Sequence, residues 1–324
     1  MPATRDKYAL EVDGRSVAVS NLDKEMYPSG FTKGQVIDYY IRVGHHVLPH
    51  LAGRPITLKR YPNGVSGAHF YQKDAPRFTP QWVRKFPVPR RTGKRDITYI
   101  VIDDLPSLVW CANTANIELH PFLHRAPELG RPTSIVFDLD PGEGADVLDC
   151  AGIAFLLRNK LEAAGLRSFP KVSGSKGIQL YVPLNTIVTY EETQPYAHVL
   201  AQELEREHPG RIVSAISKGV RHNKVFIDWS QNSDFKTTVA VYSLRAKRST
   251  PYVSMPVTWE ELRAALHKKS AERLYFEPDA AVERLAETGD LFEPMLTLKQ
   301  RLPSGQKPKS PQAIPRGARK RHEV

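Results

Sequence analysis

The sequence predicts a mixed α/β (α+β) fold, and three observations carry that prediction. Apolar runs of strand length end in acids: Ile135-Val136-Phe137 leads into Asp138-Leu139-Asp140, and Val225-Phe226-Ile227 leads into Asp228. Capped stretches of helical period are interleaved with such runs along the chain. The apolar content of 41% and charged content of 25% are those of an ordinary globular protein, and 324 residues can bury one large core or two modest ones.

Taken in order, residues 9–20 alternate Leu10, Val12, Val17 and Val19 about Asp13-Gly14, as a short hairpin does. Thr32 and Gln35 have capping-box spacing, so a helix should start there and run through Val36, Tyr39, Tyr40, Val43 and Val47 to Pro49. Lys33 in its first turn opposes the macrodipole. Either it is solvated, or an anion sits between it and the free amides, with Lys24 converging on the same anion. Residues 54–61 read as a strand ending on Lys59 and Arg60. The loop expected over 62–76 carries Phe70-Tyr71 beside Gln72-Lys73, as core aromatics or as a stacking platform for bases. Arg84, Lys85, Arg90, Arg91, Lys94 and Arg95, interrupted by Pro87, Pro89 and Gly93, form an exposed loop or hairpin that is either solvated or set against backbone phosphates. Residues 99–102 are a strand, and 105–119 read as a helix delivering Glu118 and His120 at its end.

Beyond Asp140, Pro141-Gly142 turns the chain. Asp146 caps a helix with Val147, Leu148, Ala151, Ala154, Phe155 and Leu161 on one face, and Gly165 stops it. Ser173-Gly174-Ser175-Lys176-Gly177 precedes a strand over 178–182 and reads as a hairpin turn or a phosphate nest; the residue order of a P-loop is absent. A helix over 193–207 closes at His208-Pro209-Gly210, and Arg221 places a cation before the Asp228 strand. A strand over 237–245 ends on Arg245, Lys247 and Arg248, with helices expected over 258–267 and 280–287. Of the net charge of +11, residues 299–324 carry +7 (eight Lys/Arg against Glu323), so the body over 1–298 is only mildly basic. That tail, with prolines at 303, 308, 311 and 315, is a linker or phosphate-seeking arm. Cys111 and Cys150 have no metal-ligand spacing and are expected as core thiols. No apolar run reaches a membrane span and the N-terminus lacks a signal-peptide core, so no membrane is expected and a cytoplasmic, nucleoid-associated location is.

The chemistry is concentrated at the acidic strand ends. In an extended segment residues i and i+2 share a side, so Asp138 and Asp140 can grip one cation or two, with Asp228 as a third carboxylate. Such oxygen donors suit the hard divalent ions of phosphoryl transfer. An acidic pair after a strand is also an ordinary turn or cap, and by itself decides nothing.

The order of motifs decides more. Phe137-Asp138-Leu139-Asp140-Pro141-Gly142, then Ser173-Gly174-Ser175-Lys176-Gly177, then Val225-Phe226-Ile227-Asp228-Trp229-Ser230-Gln231-Asn232 and Tyr242-Ser243-Leu244-Arg245, resemble the primase-polymerase domain of bacterial ligase D in order and spacing. That domain belongs to the archaeo-eukaryotic primase superfamily. The resemblance runs from Asn21-Leu22-Asp23-Lys24 to about Ile314-Pro315. It implies an archaeo-eukaryotic primase fold, with mixed sheets and an RRM-like catalytic module flanked by helices over 1–298; with no ligase or nuclease domain attached, a stand-alone relative of mycobacterial type is expected. By the same resemblance Asp138, Asp140 and Asp228 are catalytic ligands of two ions, manganese or magnesium. Ser173, Lys176 and Arg245 hold an incoming triphosphate in a pocket that also takes in Gly177, His120 and Arg221. Lys24 and Lys33 grip a 5′-phosphate on the downstream side of a gap, and Phe70 and Tyr71, with Arg60 beside them, pack on the template base and nucleotide. Where the family reads Gly-Leu-His, this chain has Gly177-Ile178-Gln179, so Gln179 offers the pocket an amide N–H and no charge. Residues 90–95 and Asp234-Phe235 also depart, and bear on how DNA ends are held.

The function implied is template-directed nucleotidyl transfer in DNA repair. NTP or dNTP would be added at gaps or broken ends bearing a 5′-phosphate, with a taste for ribonucleotides, and with a separate ATP-dependent DNA ligase and Ku as partners in non-homologous end joining. Two other readings compete. A haloacid-dehalogenase-type hydrolase also begins with an apolar strand and two acids, but has Thr or Val where Pro141 stands. A catalytically weak module that bridges 5′-phosphorylated DNA ends would tolerate Gln179.

Overall fold

In the computed structural model, which describes residues 7–90, 93 and 95–303, the chain enters through the hairpin that Asp13-Gly14 predicts. Strand β1 (Lys7–Val12) pairs antiparallel with β2 (Arg15–Ser20), and both turn residues have positive φ. Thr32 caps α1 (Lys33–Arg42) through the expected capping box. The single helix expected to Pro49 instead breaks at Val43, and α2 (Gly44–Leu51) restarts with Pro49 inside it. Gly44 marks the break because the helix is pressed against its neighbour: a Cβ there would lie 2.6 Å from Leu105 Cδ1.

The first sheet is built on β3 (Pro55–Arg60), which pairs with β4 (Phe70–Gln72); Phe70 and Tyr71 thus lie on a strand within the stretch read as a loop. Next, β5 (Lys85–Val88) forms a hairpin with β6 (Ile97–Val101), the second of the forms allowed for the basic cluster; Arg91 and Lys94 lie outside the described residues. Asp104 caps α3 (Leu105–Asn113). The helix read over 105–119 is corrected here. It stops at Asn113, Ala115 takes a φ of 63°, and β7 (Asn116–Pro121) runs antiparallel to β3 with His120 opposite Thr57 and Glu118 opposite Lys59. From Asn116 on, polar and apolar residues alternate with a period of two, which fits a ladder against β3 and not a helix.

The second sheet carries the acids. Strand β8 (Ser134–Pro141) leads through Asp146, the observed cap, into α4 (Val147–Ala163). Then follow β9 (Phe169–Val172), β10 (Ile178–Pro183), α5 (Tyr190–Glu207), β11 (Ile212–Val213) and β12 (Val225–Asp228). The strand order is β11-β12-β8-β10-β9, with only β11 and β12 parallel. Helix α4 packs on β8, β10 and β12. Alternation along β8 puts Phe137 and Leu139 in the core and turns Asp138 and Asp140 to the other face.

The strand expected over 237–245 is also corrected. Only β13 (Leu244–Arg245) is strand, paired with β14 (Tyr252–Val253). Upstream, the amides of Thr238 and Ala240 reach Pro121 and Leu119 of β7, and Tyr242 turns the chain at a φ of 61°. The Tyr242 hydroxyl donates to Asp290 (2.5 Å), which holds that left-handed turn from outside the segment. Helices α6 (Trp259–Lys268), capped by Thr258, and α7 (Pro278–Thr288) fall where expected, and α8 (Pro294–Thr297) follows them. Cys111 and Cys150 are free and buried, and burial pushes both thiols up. No helix among the described residues is long and apolar enough to cross a membrane. Most of the 299–324 tail lies outside the described residues.

Candidate active site

Register places the acids before any side-chain detail does. Asp228 on β12 is directly opposite Asp138 on β8, and Gln179 on β10 flanks Asp138 on its other side. Lys171 on β9 stands opposite Gln179, so one polar row, Lys171-Gln179-Asp138-Asp228, crosses four strands. Burial, and next the charge of Asp140, push the Asp138 carboxyl up to about 7; Gln179, hydrogen-bonded to it, works the other way. Asp140 is raised as well, by burial and by Asp228. Asp228 accepts from Ser230 N (3.0 Å), Ser230 Oγ (2.5 Å) and Gln231 Nε2 (2.9 Å). Among the described residues no three Asp, Glu, His or Cys side chains are gathered as a ready chelate. The donor set is nevertheless oxygen-only, and its mutual repulsion is of the kind a hard divalent cation relieves.

Asp138 and Asp140 open into a cleft of about 450 Å³ between the two sheets, lined also by Tyr71, His120, Ser173, Lys176, Gly177, Gln179, Arg221 and Arg245 among others; Asp228, beside Asp138, is not part of that lining. Every residue assigned to the nucleotide pocket is therefore in one place. The Ser173 hydroxyl closes the hairpin turn by accepting from the amides of Ser175 and Gly177 (both 3.2 Å), so those amides are already partnered, and the exposed Lys176 is what the turn offers an anion. Gln179 is fixed at both ends: its Oε1 accepts from Lys171 Nζ (2.5 Å) and its Nε2 donates to Thr238 Oγ1 (3.0 Å). Lys171 is fully buried, and burial pushes its pKa far down. Arg221 lies over the Phe226 ring (3.7 Å) and donates to Ile216 O (2.5 Å), while its charge lowers Asp140.

Two buried residues escaped the sequence reading. Glu118, placed at a helix end, is instead on β7, where His120 Nε2 (3.0 Å), Tyr61 Oη (3.0 Å) and Ala246 N (3.2 Å) donate to it. Burial favours its neutral form, but the His120 hydrogen bond and the charges of Arg245, His120 and Lys59 outweigh that and hold it well below the usual carboxylate range. The alternation Asn116-Ile117-Glu118-Leu119-His120 was the signal for the strand. No local signal pointed to Lys171, because its partners Gln179 and Ser254 are remote in sequence.

The residues assigned to DNA divide. Tyr71 is 57% exposed and lines the cleft, its ring edge-on to His120 at 5.9 Å. Phe70, 47% exposed, points elsewhere, under the Arg60 guanidinium (5.9 Å), and Arg60 is held by Thr114 O (2.7 Å) and Gln72 Oε1 (3.3 Å). Lys24 and Lys33 are neighbours at the start of α1, away from the cleft lining. The free amides expected there are not free: Lys33 N donates to Lys24 O and Gly34 N to Leu22 O (both 2.8 Å). The ammonium groups are what remain to meet an anion, and that of Lys24 also donates to Pro62 O (2.6 Å). Burial, followed by the charge of Lys24, lowers Lys33 to about 8. Asp234 and Phe235 line a separate groove with Lys73, Arg90 and Tyr99.

A sheet bearing paired acids, set across a cationic cleft from a second sheet, defines the class: an archaeo-eukaryotic primase fold. The sequence matches the family described as "LigD, primase-polymerase domain" over residues 32–292, and the chain belongs to that family, whose members are nucleotidyltransferases. The multifunctional non-homologous end joining DNA repair protein LigD of Mycobacterium tuberculosis is 42% identical over 287 residues, covering 86% of this chain and 36% of that protein. The multifunctional LigD of Mycolicibacterium smegmatis is 38% identical over 282 residues (86% and 36%), and the bifunctional LigD of Bacillus subtilis 33% over 276 (84% and 43%). The chain thus spans well under half the length of these relatives. A solved structure, the polymerase domain of M. tuberculosis ligase D in complex with DNA, superposes with a TM-score of 0.80 at 39% identity, covering 88% of this chain and 99% of that one.

Proposed function

We propose that this chain is a DNA-repair primase-polymerase that adds NTP or dNTP to a primer 3′-hydroxyl at short gaps or broken ends, recognising a downstream 5′-phosphate. The observation that carries the reading is the register that sets Asp228 beside Asp138, with Asp138 and Asp140 lining a cleft that also holds Lys176, Arg221 and Arg245. In the reaction the primer O3′ forms a bond to the α-phosphorus, and the bond from that phosphorus to pyrophosphate breaks. Two divalent cations, manganese or magnesium, held by Asp138, Asp140 and Asp228, would supply acidification of the 3′-hydroxyl and neutralisation of the leaving group. Lys176, Arg221 and Arg245 neutralise the triphosphate, His120 lines the same wall, and Gln179 orients Asp138. Tyr71 offers its exposed ring to a base. A separate ATP-dependent DNA ligase and Ku are the proposed partners.

The test is single-nucleotide incorporation with manganese, NTP and dNTP in parallel, on a gapped duplex with and without the 5′-phosphate. Phosphate-dependent templated addition is expected. Asp138→Ala should abolish it while leaving DNA affinity nearly intact, and retained incorporation in that variant overturns the reading. Tight, salt-dependent binding without any addition would instead favour an end-bridging module, to which Gln179 and the engaged Asp228 lend support.

A further inference from the structure

Glu118 is 1% exposed and absent from the cleft lining, yet it touches two residues that line the cleft, His120 and Arg245. Its Oε2 faces His120 Nε2 (3.0 Å) and Arg245 Nε (3.3 Å); its Oε1 takes Tyr61 Oη (3.0 Å) and Ala246 N (3.2 Å), with Lys59 Nζ at 3.7 Å. Arg245 is held at its far end too, since Nη1 donates to Ser173 O (2.5 Å) in the turn between β9 and β10. One guanidinium thus spans from the first sheet, through Glu118, to the phosphate-facing turn of the second.

Building on the proposed function, we infer that Glu118 is a positioning residue for the triphosphate, fixing His120 and Arg245 in the geometry that meets it without touching the ligand. The inference has a sharp sign. A carboxylate acting only through its charge would oppose a polyanion, and replacing it by the isosteric amide would tighten triphosphate binding. A carboxylate acting by position does the reverse, because the freed guanidinium and imidazole lose their aim.

The experiment compares wild type with Glu118→Gln. It measures nucleoside triphosphate and nucleoside monophosphate binding by calorimetry, gapped-DNA affinity by fluorescence anisotropy, and KM and kcat for incorporation. Triphosphate affinity should fall and KM rise by about 10- to 100-fold, with a smaller change in kcat and little change for the monophosphate or DNA. Unchanged or tighter triphosphate binding in a folded Glu118→Gln protein overturns the inference. Tyr61→Phe removes one donor from Oε1 and no charge; it should weaken triphosphate binding by about threefold. If Glu118→Gln does not fold, unchanged affinity in Tyr61→Phe overturns the inference instead. Failure of the wild type to bind triphosphate at all would mark the reading of the cleft as wrong, a result distinct from wild-type binding that Glu118 does not influence.

Discussion

Lys33 is the single residue whose environment makes the sharpest pH prediction. It is buried at the start of a helix, an unfavourable place for a cation, with Lys24 as its charged neighbour, and its pKa falls to about 8. A 5′-phosphate, doubly charged near neutrality, favours the ammonium form and should bind best below that value. Preference for a 5′-phosphorylated over a 5′-hydroxyl end is therefore expected to be full near pH 7 and to decline as pH rises through about 8. Stability of the free protein runs the other way. Between about 8 and 10.4 the unfolded chain holds a proton that the folded chain has released, so stability rises with pH across that window. Anisotropy with paired DNA ends at several pH values checks the first statement and chemical denaturation the second. Lys33→Ala should remove about tenfold of the phosphate preference together with its pH dependence. A preference that persists unchanged to pH 9 would exclude Lys33 as the anchor.

At the scale of elements, the hairpin of β9 and β10 sets the spacing between Lys176 and the acids. Gly177, immediately before β10, passes so close to β8 that a Cβ would lie 2.1 Å from Leu139 O, one residue from both Asp138 and Asp140. Gly177→Ala should push the strands apart, cost about 2 kcal/mol of unfolding free energy and abolish incorporation. Gly219→Ala, with nothing within 4 Å of its Cβ, should do neither. Denaturant melts and a primer-extension assay on the pair separate the outcomes. That glycine, like the acids, was legible in the sequence, because its surroundings are encoded locally by an apolar strand, a Ser-Gly turn and a second strand. The capped helices α1, α4 and α6 were legible for the same reason: Thr32, Asp146 and Thr258 state their starts within four residues. What was misread depends on distant partners. Residues 114–119 were extended as helix because the apolar run of α3 continues into Ile117 and Leu119, and only the ladder with β3 makes them a strand. Residues 237–243 have strand composition, but Tyr242, bound to Asp290, breaks the run. Glu118 and Lys171 were missed as site residues because a buried charge is defined by what surrounds it in space.

Across the whole molecule, charge is divided between the cleft and the C-terminal stretch 304–324, and the two contributions should be separable. Residues 304–324 hold Lys307, Lys309, Arg316, Arg319, Lys320 and Arg321 against Glu323, a net +5, which leaves +6 for the rest of the chain. The cleft cations Lys176, Arg221 and Arg245 belong to the rest, and they line the same cleft as Asp138 and Asp140, whose places the sheet register dictates. Tail cations add a term that is blind to sequence and geometry: each one that neutralises a duplex phosphate contributes about 0.9 to the slope of log affinity against log salt. Deleting 304–324 should therefore flatten that slope and weaken binding to gapped DNA at low salt. It should leave unchanged both kcat on saturating DNA and the KM for nucleotide, which are set in the cleft. Anisotropy titrations over a range of salt, paired with incorporation kinetics at saturating DNA, distinguish the two contributions. An unchanged salt slope would mean that the tail charges do not reach the duplex. A raised nucleotide KM would mean that they act inside the cleft, and the division of labour drawn from the register of the acids would have to be abandoned.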